Sequence, residues 1–159
     1  MDNAIPYIER EEWKVVNETR KILREARSSG IEPADIEVFA TATRVPVLDA
    51  HLEVVYVKFR RGAEPEDVAD AMKSFRSLPQ ELHLSTAPEN PIVVRSEANR
   101  PQPRLNRYVD KGRSVTVGRI GSIGSRRVRY VVLEHNTIRE AGNAILIAEL
   151  YLKHHLGVV

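Results

Sequence analysis

The chain has 159 residues, the length of one domain and enough to bury one full-sized core. Its 42% hydrophobic and 29% charged residues, with a formal net charge of +2, are those of an ordinary globular protein. It contains no cysteine, which excludes disulfides and cysteine-ligated metal or iron–sulfur sites and makes a reducing cytoplasm the expected compartment. No apolar run approaches the ~18 residues of a membrane span, and Met1-Asp2-Asn3-Ala4 does not open like a signal peptide.

The spacing of Trp13, Val16, Thr19, Leu23 and Ala26 predicts a first helix from about Arg10 to Ser28, with Gly30 as its stop. Strand signals follow at Val38–Val47 and His51–Phe59, rich in Val, Thr, Tyr and Phe. A second helix is expected from Pro65 to Phe75, since proline suits the first helical position and Val68, Ala71, Met72 and Phe75 form one stripe. Five prolines between Pro79 and Arg104 predict an extended, irregular stretch around a short strand at Pro91–Ser96. Strands at Ser114–Ile120 and Val128–Glu134 flank a hairpin loop at Gly121-Ser122-Ile123-Gly124-Ser125. Strands in succession with few helices between them predict an α+β domain, a mixed or antiparallel sheet covered by helices on one face.

The last helix is apolar on nearly every side from Ala144 to Leu152. Such a helix needs burial all round. Two readings stay open on pattern alone: a central helix of this domain, or a surface that docks into another domain or subunit. Thr137 and Glu140 match a capping box at its start.

Charge is unevenly spread. Residues 1–37 carry nine acidic and six basic side chains, whereas residues 95–129 carry ten basic and two acidic ones. With only Tyr108 and Tyr130 nearby, the basic stretch reads as solvated arginines before it reads as a nucleic-acid surface.

Four residues have side chains suited to a small charged substrate. His51 opens a strand after the Leu48-Asp49-Ala50 turn, and its imidazole titrates in the range a general base needs. A lone histidine at a strand end is more often structural. Arg44 has the planar fork that suits a carboxylate, although most arginines are surface residues. Glu11 and Lys14 lie three apart on one helix face, either a solvent-exposed ion pair or a holder of an amino group and a phosphate. Histidines 83, 154 and 155 have no ligand spacing, so no metal site is expected.

The ordered set of segments resembles the aspartate-semialdehyde dehydrogenase family. It comprises Asp2-Asn3-Ala4-Ile5-Pro6-Tyr7-Ile8, Glu11-Glu12-Trp13-Lys14, Glu18 to Leu23, Arg44-Val45-Pro46-Val47 through His51, Arg100-Pro101-Gln102-Pro103-Arg104-Leu105 and His135-Asn136-Thr137-Ile138-Arg139. The Pro-Gln-Pro-Arg stretch and Pro79-Gln80-Glu81-Leu82 look most like its archaeal and fungal branch.

The resemblance implies a catalytic and dimerisation domain over 1–159, like the carboxy-terminal domain of glyceraldehyde-3-phosphate dehydrogenase. Its helix at 137–156 would pack on a dinucleotide-binding domain. The family carries out NADP-dependent reductive dephosphorylation of aspartyl phosphate in the biosynthesis of lysine, threonine and methionine. His51 would be its acid–base residue, Arg44 would bind the substrate α-carboxylate, Glu11 the amino group and Lys14 the phosphate. Asn136 would lie near the nicotinamide.

The nucleophilic cysteine, a substrate-holding glutamine and the glycine-rich dinucleotide domain of the family are not in these residues. Glu140-Ala141-Gly142-Asn143 stands where the family usually has Gly-Ala-Ala-Gly, one residue shorter. The expectation is therefore a homodimer that neither binds NADP nor turns over by itself. The alternatives are a non-enzymatic dimerisation module with a vestigial pocket, or the domain of a related acyl-coenzyme-A reductase.

Overall fold

A computed structural model describes residues 2–27 and 30–157. The chain divides into two compact units, Met1–Val47 and Leu48–Val159.

The first unit is built on helix α1 (Glu11–Ile22), with two glutamates in its first turn and Arg20 and Lys21 in its last, as the helix dipole favours. The helix stops well short of the predicted end; Ser28 itself lies outside the described residues. Tertiary bonding explains the early stop. The Arg20 carbonyl, which would accept from residue 24 in a continuing helix, instead accepts from Ala34 N at 2.9 Å. Arg20 Nε returns a bond to the Ala34 carbonyl at 3.2 Å. The chain then forms two short antiparallel strands, β1 (Glu25–Arg27) and β2 (Gly30–Glu32), so Gly30, at φ 124°, belongs to a strand instead of ending a helix.

The strand expected at Val38–Val47 is absent. Its backbone makes one isolated antiparallel bridge, between Arg44 and Ile5, and Ala42 N donates to the Glu12 carboxylate at 2.9 Å. The segment is extended, but it finds no ladder partner and contains Pro46.

The second unit holds a four-stranded sheet of β3 (His51–Lys58), β4 (Ile92–Arg95), β5 (Val115–Ser122) and β6 (Arg127–Glu134) in the order β3-β6-β5-β4. β3/β6 and β6/β5 are antiparallel, and β5/β4 is parallel. Between Gly118 and Gly121 the register shifts, and Arg119 takes φ 54°, a bulge opposite Tyr130. The hairpin loop is shorter than predicted, since β5 runs through Ser122 and β6 starts at Arg127.

Helix α2 (Pro65–Ser74) packs against β4 and β5. It starts with proline and a reciprocal cap between Glu64 and Asp67. It covers one sheet face, where Val57, Phe59, Val68, Met72, Phe75 and Tyr130 line an apolar hollow. On the opposite face the Arg100–Pro101 segment crosses β5 directly over Gly118; a Cβ there would lie 2.4 Å from the Arg100 carbonyl oxygen. Leu133, Val131 and Thr116 are buried on that side, whereas Leu52, Val54 and Tyr56 of β3 remain exposed. Two short helices punctuate the proline-rich stretch, α3 (Leu78–Glu81) and α4 (Pro103–Asn106), each with a proline in its first two positions. Proline breaks ladders but starts helices, so the expectation of a mostly extended run missed them.

The chain ends with helix α5 (Asn136–Tyr151) and a π-type turn at Leu152–Leu156. Ile145, Ile147, Tyr151 and Leu156 are exposed, so α5 is not a central helix within these residues. Its one buried residue is Glu149, which accepts from the backbone of Ser85, from Thr86 N at 3.0 Å and from the Thr86 hydroxyl. Those donors hold its carboxyl well below the usual range, at about 2, against the opposing effect of burial. Among the described residues, no helix is long and apolar enough to cross a membrane.

Candidate functional site

The junction of β6 and α5 organises the chemistry of the second unit. His135 caps α5 in place of the predicted Thr137–Glu140 box, because the helix begins two residues earlier than that pair requires. Its Nδ1 accepts from Ile138 N at 3.3 Å, and its ring is buried against Tyr108. Asn136 follows as the first helical residue. Its Oδ1 accepts from the main-chain N–H of Ala50 at 3.2 Å. Ala50 is buried and takes φ 93°, a sparsely populated conformation for a residue with a Cβ. The turn before His51 is thus tied to the start of α5.

His51 opens β3 and lies opposite Glu134 across the antiparallel ladder. Directly opposed residues share a face with their Cβ atoms ~5 Å apart. His51 Nδ1 lies 3.9 Å from Glu134 Oε1, at ion-pair distance, and the imidazole is about half exposed. The other carboxylate oxygen, Oε2, accepts from Arg139 Nη1 at 2.9 Å. The facing Glu134 carboxylate raises the His51 pKa. Partial burial opposes it, and the charges of Glu53 and Glu140 add to it. Reciprocally, His51 lowers the Glu134 pKa, with burial opposing and Arg139 assisting.

Glu53 lies two residues along β3 on the face that bears His51. One ligand atom from each of His51, Glu53 and Glu134 falls within 4.8 Å of the others. This grouping of metal-ligand types was not anticipated. It already includes a cation, the Arg139 guanidinium on Glu134, so an imidazole–carboxylate pair describes it better than a metal cage does.

In the first unit, Arg44 exchanges two backbone bonds with Ile5, at 2.9 and 2.8 Å, which fix its main chain while its side chain stays exposed. Glu11 and Lys14 form the anticipated pair in the first turns of α1, with Lys14 Nζ 3.7 Å from Glu11 Oε2. The structure therefore pairs Glu11 with Lys14 in one unit and links His51 to Asn136 through Ala50 in the other. Sequence reasoning missed Glu134 and Arg139. Their signal was weak: a glutamate ending an apolar strand just before the nominated His-Asn-Thr.

Residues 1–139 match the family model described as semialdehyde dehydrogenase, dimerisation domain. Over 153 residues the chain is 46% identical to an aspartate-semialdehyde dehydrogenase of Methanothermobacter thermautotrophicus, covering 94% of this chain and 44% of that protein. It is 39% identical over 158 residues to a malonyl-CoA reductase (NADP) of Metallosphaera sedula, covering 96% of this chain and 44% of that protein. The crystal structure of an aspartate-semialdehyde dehydrogenase with NADP from Candida albicans matches with a TM-score of 0.83 at 37% identity. That match covers 95% of this chain and 44% of the other. The chain thus spans less than half the length of these relatives. Its mixed four-stranded sheet with helices has the α+β architecture expected of the family's carboxy-terminal domain.

Proposed function

From the premise that the chain belongs to the semialdehyde dehydrogenase dimerisation-domain family, we propose that it supplies the substrate-charge, acid–base and dimer-forming part of an NADP-dependent aspartate-semialdehyde dehydrogenase. The observation that carries this reading is His51 at a strand mouth. It is half exposed, opposed by a carboxylate, and its proton affinity is raised by that partner.

Aspartyl phosphate carries a carboxylate, an ammonium and a phosphate, and each calls for an opposite charge. Arg44 offers a planar fork to the carboxylate, Glu11 a carboxylate to the ammonium, and Lys14 a point charge to the phosphate. On binding, the Glu11–Lys14 pair exchanges its internal partner for ligand groups. That exchange is inexpensive, because an exposed pair of this kind contributes well under ~1 kcal/mol. His51 gives and takes the proton, a role worth ~10²–10⁴-fold in rate. The nicotinamide cofactor supplies the hydride when bound. This chain's contribution to it is Asn136, whose Oδ1 is engaged by Ala50, leaving the amide Nδ2 to donate to a carboxamide oxygen.

The exposed Leu52, Val54 and Tyr56 on one face of β3 form the surface on which a second copy packs to give a homodimer.

Titration calorimetry of the 159-residue chain with a non-hydrolysable phosphonate analogue of aspartyl phosphate tests the reading. Binding is expected, and Lys14→Ala or Arg44→Ala abolishes it. The chain by itself gives no turnover with substrate, phosphate and NADP, because it has no cysteine. No heat from the phosphonate would reduce the chain to a dimerisation module. Heat from malonyl-CoA alone would place it with the acyl-coenzyme-A reductases.

A further inference from the structure

We propose that Glu134 is the positioning residue of His51, anchored from behind by Arg139, so that Nδ1 of the imidazole faces a fixed carboxylate and Nε2 is the nitrogen that exchanges protons. The proposal rests on His51 being the acid–base group of the reading above.

Three elements contribute one member each: β3 carries His51, β6 carries Glu134 and α5 carries Arg139. The carboxylate divides its two oxygens between neighbours, Oε2 to Arg139 at 2.9 Å and Oε1 towards His51 Nδ1 at 3.9 Å. A carboxylate gripped through one oxygen cannot swing freely, so the direction of the other oxygen is set. The 3.9 Å separation is that of an ion pair, longer than a hydrogen bond. Such contacts commonly tighten when the reactive complex forms.

A carboxylate on Nδ1 selects the tautomer that keeps a proton there and frees the opposite nitrogen for exchange. Arg139 has a second effect. By compensating the Glu134 charge it limits how strongly the carboxylate holds the imidazolium, so His51 remains able to release its proton. The same junction also holds the main chain, since Asn136 accepts from the N–H of Ala50, immediately before His51. Ring and backbone of the acid–base residue are both secured from residues 134–139.

Three carboxylates act on His51 from the elements around it, Glu53 on its own strand, Glu134 across the ladder and Glu140 on α5, while Arg139 on α5 acts on Glu134. Imidazole ¹⁵N NMR titration of the chain, followed through the His51 resonances, separates their contributions. Glu134→Gln keeps the side-chain shape and should lower the His51 midpoint and redistribute the neutral tautomers. Arg139→Gln removes the compensating positive charge and should raise the midpoint. Opposite signs from the two ends of one side-chain chain are not produced by a purely structural role. Glu53→Gln should move the midpoint less than Glu134→Gln does.

An unmoved midpoint in Glu134→Gln, or an equal shift from Glu53→Gln, overturns the proposal. Should Glu134→Gln fail to fold, Arg139→Gln decides by itself, and a midpoint that stays or falls is fatal. Phosphonate binding by the unsubstituted chain separates the two levels. Binding with an unmoved midpoint removes only the positioning role, whereas a moved midpoint without binding removes the functional reading and leaves the pair intact.

Discussion

Replacing Glu149 by glutamine should cost stability in a way that depends on pH. The carboxylate accepts from Ser85 and Thr86 and is held at about 2 instead of 4.5. A depression of that size is worth at most ~3.4 kcal/mol, at ~1.36 kcal/mol per unit. The side chain is 8% exposed, yet it lies on a helix whose outer face is open, and solvent beyond that thin cover damps the field. Roughly half the ceiling is therefore expected, ~1.5–2 kcal/mol at pH 7. For a carboxyl with a depressed folded-state pKa, the stabilisation is fully present above 4.5 and is lost as the pH falls from there through about 2. Urea unfolding followed by circular dichroism should show Glu149→Gln weaker by that amount at neutral pH, with the gap closing as the pH falls from 4.5 towards 2. Comparing the two proteins cancels the other carboxylates, Glu134 included. A gap that stays constant down to pH 2, or no gap at pH 7, would refute the reasoning.

Three further outcomes are expected. Gly118→Ala places a Cβ 2.4 Å from the Arg100 carbonyl oxygen and 3.1 Å from Pro101 Cδ, so it should cost ~1–3 kcal/mol and lower the calorimetric midpoint by several degrees. Gly142→Ala, in α5 with nothing within 4 Å, should be neutral or stabilise by up to ~1 kcal/mol. Val54→Lys puts a charge in the middle of the exposed β3 face. Sedimentation velocity should show dimerisation weakened at least ~100-fold with the circular dichroism spectrum unchanged, and an unaltered dimer would place the interface elsewhere.

The second unit was largely legible. Richness in β-branched and aromatic residues over His51–Phe59 and Val128–Glu134 marked β3 and β6 to within a residue or so, and the stripe of Val68, Ala71 and Met72 marked α2. The first unit was less so, for tertiary reasons. No periodicity reports that Ala34 will capture the Arg20 carbonyl and end α1, or that the backbone around Ala42 will bond a glutamate instead of a strand.

The site divides in the same way. Glu11 and Lys14 are three residues apart and could be read locally. His51 and Glu134 meet only through a ladder register that aligns residues distant in sequence. Glu149 had a usable signal: it is the single charge in the apolar run from Ala144 to Leu152, where a buried, satisfied carboxylate is a stronger expectation than a solvated one.

On the proposed reading, strand β3 separates two tasks by parity. Odd positions from His51 to Val57 lie on the face shared with Glu134 and Tyr130, and even positions Leu52, Val54 and Tyr56 make up the open apolar face. Substitutions at His51 and Glu53 should alter proton chemistry and leave assembly intact, and substitutions at Leu52, Val54 and Tyr56 should do the reverse. One strand would then hold two genetically separable sets of residues, interleaved at single-residue spacing. Its phase is set by the ladder that pairs His51 with Glu134, and a slip of one residue would turn His51 onto the apolar face and exchange the two tasks at once.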